Sequence, residues 1–430
     1  MDTVYQLVGV GIGPFNLSLA ALLDQVAGAS GLFLEQKPGF DWHSELLFSD
    51  SDMQTCYLKD LVTPIDPTNP YSFLNYLVES KLFYHFMNTS RRVISRREFE
   101  VYCKWVVAKI TSRREEARID LKFNSCVRAV DFDGRNFVIR TDREEYKGSH
   151  ICLATGPTPL IPDCMTDFIG DDVFHAKSKH LQKFNASNKD LVIVGGGQTG
   201  IEVFRNALAG KWGPARSIKL YTARKNLEPL DETAFTNDYF LPSYVQQFLG
   251  LSSNRKEEIV ASQKLASDGN TPAYLADLYT DLYQRKLIDG DRRPLEIFAC
   301  RRLALGQRVG SQYRLTFNDE FSGGLEEVAA DAVILCTGFR NKIPKVIEPL
   351  LPRIPLDSKE RFLFKDSFAI HWDGPSDHKI YALNLSRHHH GIVEPQTSLM
   401  AWRSASVIND LLETQVYPTH SHPGFVRYSR

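Results

Sequence analysis

Apolar runs recur along the chain, and most of them end in glycine or in a cluster of turn residues. Val4-Tyr5-Gln6-Leu7-Val8 reads as a short buried strand that enters Gly9-Val10-Gly11-Ile12-Gly13-Pro14-Phe15-Asn16 and then the helical run Leu17 to Leu23. Leu32-Phe33-Leu34-Glu35 is a second strand, ending in a carboxylate. Tyr71 to Glu79 and Arg96 to Ile110 have the spacing of amphipathic helices, and Phe123 to Arg140 alternates like a small antiparallel sheet. His150 to Leu153 is a buried strand ending at Ala154-Thr155-Gly156-Pro157. Leu191 to Val194 leads into Gly195-Gly196-Gly197-Gln198-Thr199-Gly200, the helix Ile201 to Leu208 and the strand Ile218 to Thr222. From Asn226 to Asp289 no sheet pattern emerges, and Pro272 to Lys286 predicts a long helix. Ala330 to Leu335 is again a strand, closed by Thr337-Gly338. Lys379 to Leu385 is the last strand, His390 to Glu413 contains a closing helix, and Val416 to Arg430 forms a tail.

Two of these runs share one design: strand, glycine turn, helix. That context turns a glycine pattern into a site for a dinucleotide pyrophosphate, which sits on the backbone N–H groups of the helix N-terminus. In the first unit Gly9 allows the tight turn, Gly11 permits close approach, and Gly13 precedes Pro14, which fits the first turn of a helix. Glu35 lies at the distance expected for a ribose 2′-hydroxyl and would repel a 2′-phosphate, so this unit suits FAD or NAD. The second unit carries the full pattern, Gly195, Gly197 and Gly200 with Gln198 and Thr199 between, and its next strand ends at Arg224-Lys225. Two cations where the acid would stand attract a 2′-phosphate and point to NADPH.

Composition narrows the class. With 430 residues the chain is long enough for two or three domains, and Lys+Arg 51 against Asp+Glu 52 offers nothing to nucleic acid or an anionic membrane. No apolar run reaches the length of a membrane span, and the N-terminus does not read as a signal peptide. Seven scattered cysteines without a C-x-x-C pair argue for reduced thiols in the cytoplasm and against a zinc site or a redox disulfide. His388-His389-His390, read as extended, alternates faces without acids at ligand spacing, so no metal is expected there.

An unphosphorylated and a phosphorylated dinucleotide in one chain imply electron transfer from NADPH to a bound flavin, and, without a cysteine pair, onward to molecular oxygen. The expected fold is therefore α/β, a two-dinucleotide-binding-domain flavoprotein with Rossmann-like FAD and NADPH domains and a small mostly helical insert. Its FAD domain would span 1–160 and 331–415, its NADPH domain 161–225 and 290–330, its insert 226–289 and its tail 416–430. The Thr155-Gly156 and Thr337-Gly338 ends fit the points where the chain crosses between the two cofactor domains.

The longer motifs resemble one family. Gly9 to Asn16, Trp42-His43, Met53-Gln54, Leu58-Lys59-Asp60-Leu61-Val62, Asp66-Pro67-Thr68 with Tyr71 to Leu77, Gly195 to Thr199, Leu230-Asp231-Glu232 and Ser398 to Ser404 are similar to the flavin-dependent N-hydroxylating monooxygenases of siderophore biosynthesis. Within them the chain looks closest to the L-lysine N6-hydroxylase branch. The resemblance implies NADPH reducing FAD, oxygen adding at the flavin C4a, and an unprotonated amine attacking the resulting hydroperoxide. It also implies that Trp42, His43 and His390 lie by the flavin, and that Gln54 lies near its ring in a catalytic role. Lys59 would pair with a substrate carboxylate, Asn237 would bind substrate, and Asn270 would serve both substrate and catalysis. A homo-oligomer, dimer or tetramer, is implied as well.

Two departures keep the substrate open. Asn237 and Asn270 match positions used by the ornithine branch, and Ser44-Glu45-Leu46-Leu47 replaces the usual Pro-Gly-Met-Leu. L-lysine is the first expectation, with cadaverine, putrescine, histamine or L-ornithine as alternatives. A flavin oxygenase acting on sulfur or a ketone, or a flavin-binding sensor without turnover, represents the other classes.

Overall fold

In the computed structural model, which describes residues 3–113 and 118–428, the opening run is the strand Val4–Val10, fully buried over its last four residues. It lies between Gly31–Leu34 and Glu145–Leu153, parallel to both, with Val8 opposite Leu32 on one side and Ile151 on the other. Ile119–Lys122 extends the sheet beyond Gly31–Leu34. Glu145–Leu153 serves two neighbourhoods. Its first half pairs antiparallel with Phe137–Thr141, itself hairpinned to Val127–Phe132, and its last residues pair parallel with Ile380–Ala382. A strand with neighbours on both edges and helices on its faces can be apolar throughout, which is why these runs do not alternate.

The helix Pro14–Leu23 leaves the first strand and is buried at nine of its ten positions, roofed by Met400–Leu411 from the far end of the chain. Ser404 donates to Ser18 at 3.0 Å, and Ser18 donates to the Leu61 carbonyl at 2.5 Å, so the two hydroxyls are paired inside an apolar interface. Ser72 and Ser95 cap the helices Phe73–Glu79 and Arg96–Ser112 by accepting from Asn75 and Glu98 backbone N–H groups.

A second, wholly parallel sheet runs in the order Leu295–Phe298, Ser217–Tyr221, Asp190–Val194, Ala332–Leu335, Val173–His175. Ala332–Leu335 belongs here, so the return to the first sheet comes after Leu335 and not at residue 331. An all-apolar strand reads the same whichever sheet receives it. An antiparallel meander, Arg301–Val309, Gln312–Asp319 and Leu325–Ala330, covers one face of this sheet. Tyr221 is stacked between Phe298 and Phe317, with ring centroids at 4.5 and 4.2 Å. Between the sheets, Thr158–Pro159 pairs antiparallel with Phe339–Arg340 where the chain crosses in each direction.

Residues 226–289 hold the helices Pro242–Leu249, Ser253–Ser262, Lys264–Ser267 and Pro272–Tyr283, the last running on into a π-turn at Gln284–Ile288. Among the described residues no helix is long and apolar enough to cross a membrane.

Candidate active site

Both glycine turns end in an uncapped helix mouth. Gly13 is the N-cap of Pro14–Leu23 with no side chain accepting from the first turn, and a Cβ placed on it would meet nothing within 4 Å. The free N–H groups there face open space, as an anion-binding helix end requires. Gly11 has φ +91°, and a Cβ on it would come within 2.6 Å of the Ala154 carbonyl, so only glycine lets this turn lie against the Thr155-Gly156 crossover. Glu35 reaches the same turn. Its Oε2 accepts from Ile12 N–H at 2.9 Å and its Oε1 from Lys37 N–H at 3.0 Å. Each carboxylate oxygen retains a second lone pair for a ribose hydroxyl.

The second mouth has the same geometry with less room behind it. Gly195 (φ +120°) lies where a Cβ would meet the Cys336 carbonyl at 2.2 Å, and on Gly200 one would meet the Gly195 carbonyl at 1.8 Å. Gly197 caps the helix Gln198–Leu208, and the nearest atom to a Cβ there is the Arg224 guanidinium at 3.4 Å. Arg224 thus stands beside the mouth where Thr199 occupies the first turn. It is not a free cation: its two terminal nitrogens donate to the Asp268 carboxylate at 2.8 Å and the Asp268 carbonyl at 2.9 Å. The fork is already oriented, and a phosphate arriving there would share it with Asp268.

Gln54, Gln198 and residues 269–271 meet between the two mouths. Gln198 accepts from Thr271 N–H at 2.8 Å and donates to Glu202 at 2.8 Å. Gln54 donates to Thr271 Oγ1 at 3.3 Å and to the Gly269 carbonyl at 3.4 Å. Glu202 is wholly buried and receives both arms of Arg96 at 2.9 Å, which ties the first helix of one unit to the N-terminus of a helix in the other. Sequence reading missed this pair. The signal was an acid four residues after Gln198, on the inward face of its helix.

Asn270 is fully buried, and its amide nitrogen donates to the Gly196 and Glu228 carbonyls, both at 3.1 Å. It therefore braces the glycine turn from behind instead of presenting its nitrogen to a substrate, while its Oδ1 is buried without a partner. Asn237 is half-buried and donates to the Glu232 and Thr233 carbonyls, a local turn contact. The structure joins neither asparagine to Lys59 through any hydrogen bond among the described residues.

Lys59 is half-buried in a recess with Met53, Cys56, Tyr57 and Phe73, and burial lowers its pKa. Among the described residues no carboxylate or carbonyl pairs with its ammonium group. The neighbouring Asp60 organises the recess. Its carboxylate accepts from the N–H groups of Val62, Thr63 and Phe73 at 2.6 to 2.9 Å.

The histidines are structural in their contacts. His388 to His390 lie on the short helix Arg387–His390, not on an extended segment, because Ser386 accepts from the His389 and His390 N–H groups and starts a turn. His390 is buried, stacked on Phe368 at 3.9 Å and bonded to Ser386 and the Asp366 carbonyl. His43, edge-on to Trp42, is pushed down to about 3 by burial and then by Lys177, Arg96 and Lys37. At the second crossover Thr337 donates to the Leu160 carbonyl and Gly338 accepts from Leu160 N–H at 2.9 Å.

A cavity of about 540 Å³ opens alongside, with Lys264, Asp268, Arg361, Arg387 and His388 in its wall. It touches the partner of Arg224 and the turn leading to His390, whereas Lys59, Gln54 and Asn237 lie outside its lining.

The family model described as L-lysine 6-monooxygenase/L-ornithine 5-monooxygenase matches residues 3–341. The L-lysine N6-monooxygenase of Escherichia coli is 37% identical over 430 residues, covering 100% of this chain and 99% of the relative. A putrescine N-hydroxylase of Acinetobacter baumannii is 27% identical, covering 99% of this chain and 94% of the relative. Among solved structures, the FAD-bound cadaverine monooxygenase of the desferrioxamine pathway from Erwinia amylovora superposes with a TM-score of 0.91 at 25% identity, covering 100% of this chain and 99% of that one.

Proposed function

The chain belongs to the L-lysine 6-monooxygenase/L-ornithine 5-monooxygenase family, and from that premise we propose that it is an FAD- and NADPH-dependent monooxygenase that N-hydroxylates the terminal amine of L-lysine. The product would be a hydroxylamine for assembly into a hydroxamate siderophore, formed from amine, O₂, NADPH and a proton with release of NADP⁺ and water. The observation that supports lysine is the half-buried ammonium of Lys59, which has no hydrogen-bond or ion-pair partner among the described residues. A cation withdrawn from water needs an anion, and an amino acid brings one. A diamine would set a second cation against it.

FAD and NADPH, when bound, supply the two electrons and the activation of oxygen. The two mouths fit those groups: open backbone N–H at Gly13 and Gly197, Glu35 at the first, Arg224 at the second. The chain's own work is to hold and to exclude. Arg224, fixed by Asp268, grips a 2′-phosphate; Lys59 holds the substrate carboxylate; Gln54 and Gln198 lock residues 269–271 between the two cofactor sites. Burial lowers the pKa of an amine and so favours the unprotonated form that can attack.

The test is hydroxylamine formation across lysine, ornithine, cadaverine, putrescine and histamine, with wild-type enzyme and Lys59→Ala. Preference for lysine, with a KM raised roughly 10- to 100-fold in the variant for loss of one charge-assisted hydrogen bond and unchanged flavin reduction, is the expected result. Preference for a diamine, or an unchanged KM, would overturn lysine while leaving the amine hydroxylase reading in place.

A further inference from the structure

The tail is attached at both ends of its course, and its far end reaches the helical insert. Near its start, Asn409 accepts from Val416 and Tyr417 N–H at 2.9 Å, and Tyr417 donates to the Leu22 carbonyl at 2.8 Å inside the first sheet's core. At the far end, one oxygen of Asp238 accepts from Phe425 N–H at 2.9 Å and Val426 N–H at 3.3 Å. Tyr428 then lies against the rings of Tyr239 and Tyr244, at 6.0 and 5.1 Å. The approach is close: a Cβ on Gly424 would fall 2.8 Å from the Asp238 carboxylate.

What this strap holds is the residue beside Asn237. Residues 231–237 bond mostly to one another, Thr233 and Thr236 to Asp231 and Asn237 to Glu232 and Thr233. The upstream end is fixed where Leu230 N–H donates to the Asn270 carbonyl at 2.7 Å and Asp231 N–H to the Leu265 carbonyl at 2.9 Å. A loop whose bonds are internal takes its position from its two ends. The downstream end has the buried Phe240 ring and the Asp238–tail contact.

We infer that Asp238 is a positioning residue for the amine substrate: by gripping residues 425 and 426 of the tail it fixes the Asp231–Asn237 loop against the insert and so sets where Asn237 meets the amine. The inference rests on Asn237 binding the substrate, as the family resemblance implies; its amide nitrogen is taken by the Glu232 and Thr233 carbonyls, so the amide oxygen is the atom left to meet the amine. Among the described residues neither Asp238 nor the tail bonds to either glycine turn, so the hydride-transfer half of the cycle is independent of the strap.

The experiment uses full-length, FAD-loaded enzyme carrying Asp238→Ala, Asp238→Asn or Gly424→Val. Three quantities are read: anaerobic flavin reduction by NADPH, KM for the amine, and hydroxylamine formed per NADPH consumed. Asp238→Ala should raise the amine KM roughly tenfold, the worth of a charge-assisted hydrogen bond, and lower the yield of hydroxylamine, with flavin reduction unchanged. Asp238→Asn keeps an oxygen that accepts from the same N–H groups but loses the charge, and should fall between wild type and Asp238→Ala. Gly424→Val leaves Asp238 in place but lifts the tail and should follow Asp238→Ala. Unchanged KM and coupling in both Asp238→Ala and Gly424→Val would overturn the inference alone. Flavin reduction falling in step with amine turnover would overturn it in favour of general destabilisation. A wild-type enzyme that hydroxylates no amine would overturn both it and the proposed function.

Discussion

Arg96→Ala removes one partner of the pair that joins the two cofactor units. The side chains of Arg96 and Glu202 are 15% and 0% exposed, and the guanidinium meets both carboxylate oxygens at 2.9 Å. Burial pushes the Glu202 carboxyl up, and Arg96 and Gln198 only partly offset it. Without Arg96 that carboxyl either stays charged and unpaired or takes a proton. Removing one member of a buried pair costs about 3–5 kcal/mol. Arg128–Asp142 provides an internal comparison, since it is bidentate as well but 64% and 52% exposed, where water and salt screen the attraction. The assay is urea unfolding in a double-mutant cycle, Arg96→Ala and Glu202→Ala singly and together, with Arg128→Ala and Asp142→Ala alongside. Flavin reduction by NADPH is followed in the same samples, because Glu202 also holds Gln198. A coupling energy of about 2 kcal/mol or more for the buried pair is expected, well above the exposed one. Equal coupling in the two cycles would refute the reasoning.

Gly200→Ala should abolish reduction by NADPH while dithionite still reduces the flavin, because its methyl meets the Gly195 carbonyl within 1.8 Å and the backbone cannot yield without opening the second mouth; NADPH turnover within about twofold of wild type would contradict this. Arg224→Ala should raise the KM for NADPH by roughly 10- to 100-fold, the range for a lost charge-assisted contact, and leave that for NADH unchanged, so a parallel loss with both would remove Arg224 from the phosphate site. His175 accepts from Lys177 N–H through Nδ1 and donates to the Gly338 carbonyl through Nε2, a neutral tautomer, and burial lowers it to about 4. Its folded pKa lies below the unfolded one, so its contribution is complete above about pH 6.5 and is lost toward pH 4, at about 1.4 kcal/mol per unit. The urea midpoint should fall across that window, and His175→Gln should flatten the slope; an unaltered slope would exclude the histidine as a source.

The glycine turns were legible because their constraint is local. A positive φ at Gly11 or Gly195 and an uncapped helix after them follow from a few neighbouring residues. Partners chosen over long sequence distances were not. Nothing in Arg224 announces Asp268, and nothing in Arg96 announces Glu202, since such pairs depend on which helices the fold brings together. Asn270 was singled out by motif, yet its amide turned out to serve the backbone of Gly196, because a buried amide meets carbonyl acceptors before it meets solvent. The three histidines were misread as extended for a similar reason: the turn is started by Ser386, a residue outside the motif.

The first strand pairs with residues 145–153, and these in turn pair with 380–382, so the opening sheet is closed only by residues made near the end of synthesis. At about 5–20 residues per second, the ribosome delivers Ile380 about 20–75 s after Val10. The parallel sheet, whose strands lie between Val173 and Leu335, has all its strands synthesised about 2–9 s before then. Nascent chains should therefore acquire protease resistance first in the middle of the sequence, with the N-terminal β-strands held unfinished until the closing strand and helix emerge. A premature stop codon between residues 336 and 379 would release a chain with one finished sheet and one exposed edge, the kind of surface that chaperones retain.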